Sequence, residues 1–279
     1  MRMIRLANAL LVTLLVPLAA GCMAGSEAEP PLSYEEFKAR YIGTTTDPDG
    51  TVHLFYDWDQ PLDSEDQVAA LYDAYITAKT GGETLSEATV NTNVYGQAVR
   101  WTAATAKNLT YCVSNSFGAS KTAVVNAMAA ATAAWTNATN GSVRYSYQSQ
   151  YDATCNTASP VVFDVTPGGA PYAKAFFPGN ARAQRRVLIH PATFNGTFPA
   201  AGILRHELGH TLGLRHETTR KEAVAKYGVH CFEDIYNKPL TAYDDYSVMT
   251  TPACMGANVK NKTLSLSARD VEGIRLLYP

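Results

Sequence analysis

The pattern of apolar and polar positions changes near residue 99 and divides the chain into two regions. In the first region, at residues 32–98, apolar residues recur with helical spacing over 34–41 and 64–79. The turn-rich sequence Asp47-Pro48-Asp49-Gly50 separates these two predicted helices. The region is acidic and mixed in composition, and we interpret it as a prosegment or accessory region, with a spacer or docking unit as the alternative.

Strand and helix signals alternate more clearly in the second region, at residues 99–279. Strands are predicted where β-branched and aromatic residues alternate or cluster, at 109–113, 143–147, 161–165 and 186–190. Helices are predicted over the alanine-rich stretch from Ser120 to Asn137, around 200–212, and after Ser267 at the end of the chain. This order predicts an α+β fold in which a mixed, twisted sheet is packed by a long helix and by the helix around residue 206.

The N-terminus predicts export. Arg2 and Arg5 precede an apolar stretch from Leu6 to Leu18, and small residues then lead to Cys22. The pattern indicates a lipoprotein-type signal peptide at residues 1–21, lipid modification of Cys22 and a tether at 22–31, with an ordinary secretory leader as the alternative. We therefore expect an exported protein, either a bacterial lipoprotein attached to a membrane through Cys22 or an extracellular protein.

Composition narrows the classes of partner. Hydrophobic residues make up 46% of the chain, which excludes a disordered protein. The 23 Lys and Arg residues stand against 25 Asp and Glu residues, and no basic block is present that could follow a phosphate backbone. Nucleic acid is therefore not an expected partner.

The cysteines agree with export. With Cys22 set aside for lipid, an even set of four remains: Cys112, Cys155, Cys231 and Cys254. Joining the nearer partners gives Cys112–Cys155 and Cys231–Cys254, one of three pairings that four cysteines allow. Free thiols or a metal cluster are the alternative, but none of these cysteines has the CxxC spacing of a structural zinc site.

The candidate chemistry lies in the segment His206-Glu207-Leu208-Gly209-His210-Thr211-Leu212-Gly213-Leu214-Arg215-His216. On a helix, His206 and His210 project from the same face. Gly213 can take the left-handed conformation that ends the helix, which would return His216 to the same ion. Three imidazoles on one catalytic Zn²⁺ leave a fourth coordination position for water. The sequence does not indicate whether calcium is required.

Glu207 follows the first predicted ligand, so its carboxylate is expected beside the metal rather than on it. In that position it would act as the general base toward a water bound to zinc, and peptide-bond hydrolysis is the expected reaction. The alternative is a helix that carries these residues as ordinary polar groups, which the complete spacing of three histidines and a glycine disfavours.

The spacing HExxHxxGxxH resembles that of the metzincin metallopeptidases. Met249, after Tyr243-Asp244-Asp245-Tyr246, is similar to the methionine-containing turn, or Met-turn, of that clan. The segment from Leu266 to Tyr278 resembles the closing helix of the matrix-type metallopeptidases. His216-Glu217 followed by Arg220 resembles the bacterial dual-action HEIGH metallopeptidases and, more distantly, the astacins.

The resemblance covers roughly Val99 to Pro279 and implies a zincin fold with a C-terminal subdomain that contains the Met-turn and the closing helix. It also implies that Met249 supports the metal site from below. A peptide substrate would then pair with the edge of the sheet, which we expect at Arg186 to His190.

One departure from the resemblance concerns the oxyanion. Thr250 and Thr251 follow Met249 where astacins have His and Tyr. The group that stabilises the oxyanion is therefore expected elsewhere, and Tyr243 and Tyr246 are candidates, although ordinary packing is the stronger interpretation of both.

The expected function is that of a secreted, lipid-anchored zinc endopeptidase that hydrolyses proteins or peptides. A prosegment could supply a fourth ligand that keeps the enzyme latent, and Asp57-Trp58-Asp59 is the candidate for a carboxylate ligand. The alternatives are a zinc-containing surface binding module or adhesin without turnover, and a zinc hydrolase of non-peptide amides or esters. An intact Glu207 argues against the binding module, because a structural zinc site has no use for a base.

Overall fold

The elements of the fold combine helices with a mixed sheet. The computed structural model describes residues 30–46, 50, 52–56, 59–62, 64–80, 90–91, 97–168, 173–228, 231 and 237–279. The described helices are α1 (Tyr34–Tyr41), α2 (Glu65–Lys79), α3 (Ala103–Ala106), α4 (Lys121–Ala138), α5 (Ala200–Thr211), α6 (Lys221–Tyr227), α7 (Pro252–Met255) and α8 (Ala268–Leu277). The described strands are β1 (Ile42–Thr46), β2 (Val52–Tyr56), β3 (Gln60–Leu62), β4 (Val90–Asn91), β5 (Leu109–Val113), β6 (Tyr145–Tyr147), β7 (Phe163–Pro167), β8 (Ala173–Lys174), β9 (Arg186–Ile189) and β10 (Asn237–Lys238). Residues Pro31–Pro279 form one compact unit. The predicted signal peptide and Cys22 lie outside the described residues.

The central sheet is mixed, as the sequence predicts. Within the described residues its strand order is β6-β5-β7-β9-β8. The pairs β5/β6, β5/β7 and β7/β9 are parallel, whereas β8 runs antiparallel to β9. Apolar side chains of β5, β7 and β9 are buried on the sheet, because parallel strands in this position are covered by helices.

The prediction of which strand forms the edge of the sheet is wrong. The sequence predicts an edge at Arg186 to His190, but β9 lies between β7 and β8. Ala173 pairs with Ile189 and Lys174 with Leu188, so β8 is the outer strand. A strand of two residues has no periodicity, which is why its pattern could not be recognised in the sequence.

Helices α4 and α5 pack against each other beneath the sheet. Trp135 of α4 is fully buried, and its Nε1 donates a hydrogen bond to the Arg205 carbonyl at 2.9 Å. Two further bonds hold the end of α5, from Trp101 Nε1 to the Thr211 carbonyl at 2.7 Å and from the Tyr278 hydroxyl to the Leu212 carbonyl at 2.8 Å. These bonds tie the beginning and the end of the 99–279 region to one helix.

The N-terminal region has a small hydrophobic core of its own. Strands β1, β2 and β3 form an antiparallel sheet beside α1 and α2. Ser33 and Ser64 accept hydrogen bonds from backbone amides in the first turns of α1 and α2, which fixes the start of each helix. The buried core of the N-terminal region consists of Phe37, Tyr56, Leu71 and Tyr75. The sequence predicted the two helices but not the sheet between them.

Strand β4 connects this region to the C-terminal part of the chain. Val90 pairs with Lys238 and Asn91 with Asn237 in an antiparallel ladder of β4 and β10. The chain therefore contacts the C-terminal part before it enters the central sheet at β5.

Two disulfides are present, Cys112–Cys155 and Cys231–Cys254, with Cα–Cα distances of 5.7 and 4.5 Å. They are the pairs that proximity in sequence favoured. Disulfides of this kind are typical of proteins that reach an oxidising compartment. In the part of the chain that the structure describes, no helix combines the length and the apolar character needed to cross a bilayer.

We expect the longer disulfide loop to contribute more to stability. Replacing Cys112 and Cys155 by Ala should lower the free energy of unfolding by about 2–4 kcal/mol, because the bridge restricts the unfolded chain. The same change at Cys231 and Cys254 should cost about 0.6 kcal/mol less, since the loop closed is 23 rather than 43 residues long. Denaturant unfolding of both variants checks this, and equal losses would contradict the loop-length explanation.

Candidate metal centre

Helix α5 carries two of the predicted ligands on its buried face. His206 and His210 are one helical turn apart, and their side chains are almost entirely shielded from solvent. Leu204 and Leu208 of the same helix, and Leu212 directly after it, fill the core, and this apolar packing fixes the rotation of the two imidazoles toward the site.

The third histidine returns through a glycine turn. Helix α5 ends at Thr211, and Gly213 has a φ of +99° in the left-handed region, as predicted. The Leu214 amide then donates to the Gly209 carbonyl at 3.0 Å, which closes the turn. A Cβ at Gly213 would overlap the Val99 carbonyl oxygen. The turn brings His216, which is fully buried, against His206 and His210.

The three imidazoles point their Nε2 atoms at one place. Nε2 of His216 lies 3.0 Å from Nε2 of His206 and 3.2 Å from Nε2 of His210. Nδ1 of His206 donates to the Val248 carbonyl at 2.7 Å, and Nδ1 of His210 donates to the Leu214 carbonyl at 2.7 Å. With the proton on Nδ1, Nε2 keeps its lone pair for a metal. Burial lowers the pKa of His210 to about 4, which also favours the neutral form that binds metals.

Asp59 of the N-terminal region reaches the same place. One of its carboxylate oxygens lies 2.8 Å from Nε2 of His216, and its oxygens lie 3.4 and 3.5 Å from Nε2 of His206 and His210. Burial alone would raise the pKa of Asp59, but the charge of His216 and the close contacts with the three imidazoles hold that pKa well below its usual range. Asp57 and Trp58, the other members of the acidic sequence, lie outside the described residues.

This donor set fits a zinc ion. The ligand atoms of Asp59, His206, His210 and His216 all lie within 4.8 Å of one another, and all four residues are buried. Tetrahedral ligands at about 2.1 Å from Zn²⁺ are about 3.4 Å apart, close to the observed separations of the Nε2 atoms. Three imidazoles and one carboxylate are ligands that zinc accepts, so this group of residues could bind a metal.

Glu207 lies beside the donors and is buried at 2% exposure. Burial, and then the charge of Asp59, raise the pKa of Glu207 well above its ordinary value, while the charges of His216 and Lys174 act in the opposite direction. A buried carboxylate next to a group of metal ligands is typical of a catalytic site rather than a structural one.

A turn around Met249 packs against helix α5 at Gly209. Met249 is buried, and its Sδ occupies the space where a Cβ of Gly209 would be. Asp270 of α8 holds this turn through the Ser247 hydroxyl at 2.6 Å and the Val248 amide at 2.8 Å. The sequence pattern assigned neither Gly209 nor Asp270 a part in the site, although Gly209 stands inside the histidine motif and Asp270 near the start of the predicted closing helix.

A buried ion pair connects the third histidine to the Met249 turn. Arg220 donates to Glu217 Oε1 at 2.7 Å, and the same oxygen accepts from the Asp244 amide at 2.8 Å. The Glu217 amide donates to the Met249 carbonyl at 2.9 Å. Burial raises the pKa of Glu217 to about 7, with Arg220 acting in the opposite direction.

The candidate tyrosines have surroundings of their own. Tyr243 packs against the Arg220 guanidinium, whose carbon lies 5.4 Å from the ring centroid. Tyr246 is 57% exposed, and the Lys260 ammonium lies 5.5 Å from its ring centroid. Each ring therefore lies against a cation, and a role of either tyrosine toward the oxyanion stays a prediction.

Comparison with solved structures finds zinc proteases among the similar folds. High choriolytic enzyme 1, a hatching enzyme zinc-protease from Oryzias latipes (medaka fish), has 17% identity and a TM-score of 0.40, covering 68% of this chain and 94% of its own. Metalloproteinase-II from Bacteroides fragilis has 10% identity and a TM-score of 0.32, covering 85% of this chain and 77% of its own. No protein-family model matches the sequence, and no curated protein matches it. At these identities and TM-scores, structural similarity alone does not assign a function to this chain.

The turn at Gly213 should be intolerant of any side chain. Gly213→Ala should lower the free energy of unfolding by about 1–3 kcal/mol and weaken zinc binding, because the left-handed backbone and the Val99 carbonyl both oppose a Cβ. Gly256→Ala is the matched control, since Gly256 has a φ of +54° with open space around its Cβ position. Thermal unfolding and zinc titration check the pair, and equal effects would show that the contact with Val99 is unimportant.

Proposed function

We propose that the chain is a zinc-dependent endopeptidase of the metzincin type. The observation that carries this proposal is the convergence of three buried imidazole Nε2 atoms beside a buried carboxylate that is not one of the ligands. In this proposal His206, His210 and His216 bind the ion, Glu207 is the general base and Met249 supports the site. The motif spacing supports a place near the bacterial dual-action HEIGH metallopeptidases.

The protein groups have distinct tasks in peptide-bond hydrolysis. When bound, Zn²⁺ supplies a Lewis acid that lowers the pKa of water and polarises the scissile carbonyl. Glu207 accepts the proton from the attacking water and later delivers it to the leaving amine.

We further propose that residues 32–98 are an inhibitory prosegment. Its Asp59 carboxylate stands where the attacking water must be, within 3.5 Å of all three histidines. A fourth protein ligand closes a zinc site and makes it structural, whereas a catalytic site needs an open position. The chain would therefore be latent until this region is removed.

Export belongs to the same proposal. The two disulfides support a compartment outside the cytosol. The signal peptide at 1–21 and a lipid anchor at Cys22 would place the enzyme on a membrane surface, where its substrates would be exported proteins or peptides. Metabolic labelling with a palmitate analogue, compared between the native chain and Cys22→Ala, tests the anchor.

Removal of the Asp59 carboxylate should activate the uncut protein. Asp59→Ala should raise the turnover of a quenched peptide by at least about tenfold, because a larger fraction of molecules then has an open position on the metal. Asp66→Ala, an exposed carboxylate on α2 of the same region, should leave turnover unchanged. Unaltered activity of Asp59→Ala, with zinc bound, would contradict latency through this residue.

The role of Glu207 can be separated from metal binding in a cut protein. By "cut protein" we mean the chain from Met23 onward that carries Asp59→Ala and a specific protease sequence inserted after Thr80, folded intact and then cleaved there. Glu207→Gln in this cut protein should reduce turnover by about 10²–10⁴-fold, because the amide cannot accept the proton.

Zinc content is the control for that substitution. It should stay near one ion per chain in Glu207→Gln, and a chelator should abolish turnover of the cut protein without the substitution. Zinc that is bound without any turnover of proteins, peptides or esters would overturn the endopeptidase and favour a zinc-containing binding module.

A further inference from the structure

Two cations close to the metal centre are covered by aromatic side chains of the N-terminal region. The Lys174 ammonium lies 3.0 Å from the centroid of the Phe55 ring. The Arg215 guanidinium carbon lies 5.5 Å from the centroid of Tyr56, and Arg215 donates a hydrogen bond to the Tyr56 hydroxyl. Phe55 and Tyr56 belong to β2, a few residues before Asp59. One segment therefore covers the three histidines and both cations.

Arg215 is held in a fixed orientation next to the ligands. It stands directly before His216, and it is only 6% exposed. The face of the Phe177 ring supports its guanidinium, with 5.6 Å between the guanidinium carbon and the ring centroid. The Phe177 ring lies in turn against His210, at 5.6 Å between centroids. The guanidinium is thus one aromatic ring away from a metal ligand, and Phe177 belongs to the 99–279 region rather than to the N-terminal region.

Lys174 lies on the strand where a peptide would add to the sheet. Strand β8 is one of the two outer strands of the described sheet, and an extended peptide can bind such an edge through its backbone. Strand β8 also packs against α5, the helix that carries Glu207 and two of the histidines. Side chains of a peptide on this edge would therefore meet a positive charge close to the bond that is cleaved.

We propose that Arg215 and Lys174 select substrates with an acidic side chain within three residues of the scissile bond. This proposal rests on the endopeptidase function given above and specifies its substrate class. Removal of Phe55 and Tyr56 exposes the two cations inside the cleft, where charges are poorly screened. A guanidinium has its N–H donors in a planar fork, so one edge of it can bind both oxygens of a carboxylate.

The test uses matched quenched peptides and the cut protein. Each pair of peptides differs only by Glu or Gln at one position, from three residues before the scissile bond to three residues after it. We expect kcat/KM to be about tenfold or more higher for Glu at one or two positions, as charge-assisted hydrogen bonds predict. Arg215→Gln should remove this preference at one position, Arg215→Lys should keep part of it, and Lys174→Met should reduce it on the strand side.

Arg185→Gln is the matched control variant. Arg185 also lies on an aromatic ring, with its guanidinium carbon 4.8 Å from the Trp101 centroid, and its loss changes the net charge by the same amount. The preference for Glu should persist in this variant. An equal loss of preference in Arg185→Gln and Arg215→Gln would overturn the proposal, because it would show a nonspecific effect of net charge.

A binding measurement decides the proposal independently of turnover. Fluorescence anisotropy of labelled Glu and Gln peptides with the Glu207→Gln cut protein should show tighter binding of the Glu peptide, and Arg215→Gln should abolish the difference. Equal affinity for both peptides, or a preference for Phe over Glu at every position, would overturn the acidic subsite while leaving the endopeptidase intact. A cut protein that binds Glu peptides selectively but cleaves nothing would instead overturn the proposed function.

Discussion

Two backbone carbonyls determine where the histidines point, and the rest of the site depends on them. The Val248 carbonyl accepts from His206 and the Leu214 carbonyl accepts from His210, so both Nε2 atoms face the same place without a proton. Neither carbonyl belongs to helix α5. One follows the Gly213 turn and the other lies in the turn that Asp270 holds. These turns are therefore part of the metal site, although they contribute no ligand to it.

The ligand segment could be predicted from the sequence because its signals are local. His206 and His210 share a helix face by spacing alone, and Gly213 marks the turn that returns His216. The contact of Asp59 with these histidines is different, because it joins residues that are far apart in sequence and depends on how two regions pack. The sequence could therefore offer Asp59 only as a hypothesis. No sequence pattern indicates the roles of Arg215 and Lys174, because the aromatic residues that cover them belong to the N-terminal region.

The same limit explains what the sequence could and could not predict of the fold. Helix α4 has many residues in phase, and strand β5 is rich in β-branched and aromatic residues, so the predicted bounds of both agree with the structure to within a residue or two. Strand β8 has two residues, and it exists because β9 offers it hydrogen-bond partners. The antiparallel sheet of β1, β2 and β3 also depends on pairing between short strands, which the acidic and turn-rich sequence of this region conceals. Elements that are stabilised mainly by a neighbour cannot be recognised from their own residues.

Tyr56 belongs both to the small core of the N-terminal region and to the cover over the metal centre. Its ring is packed in the small core with Phe37, Leu71 and Tyr75, and its hydroxyl contacts Arg215 beside the histidines. Any molecule in which this core opens also loses the cover over the metal centre, so the two equilibria are linked. The fraction of molecules with an accessible site is then set by the folding free energy of a few side chains. A ligand that loosens this core would expose the site reversibly, before any peptide bond in the chain is cut.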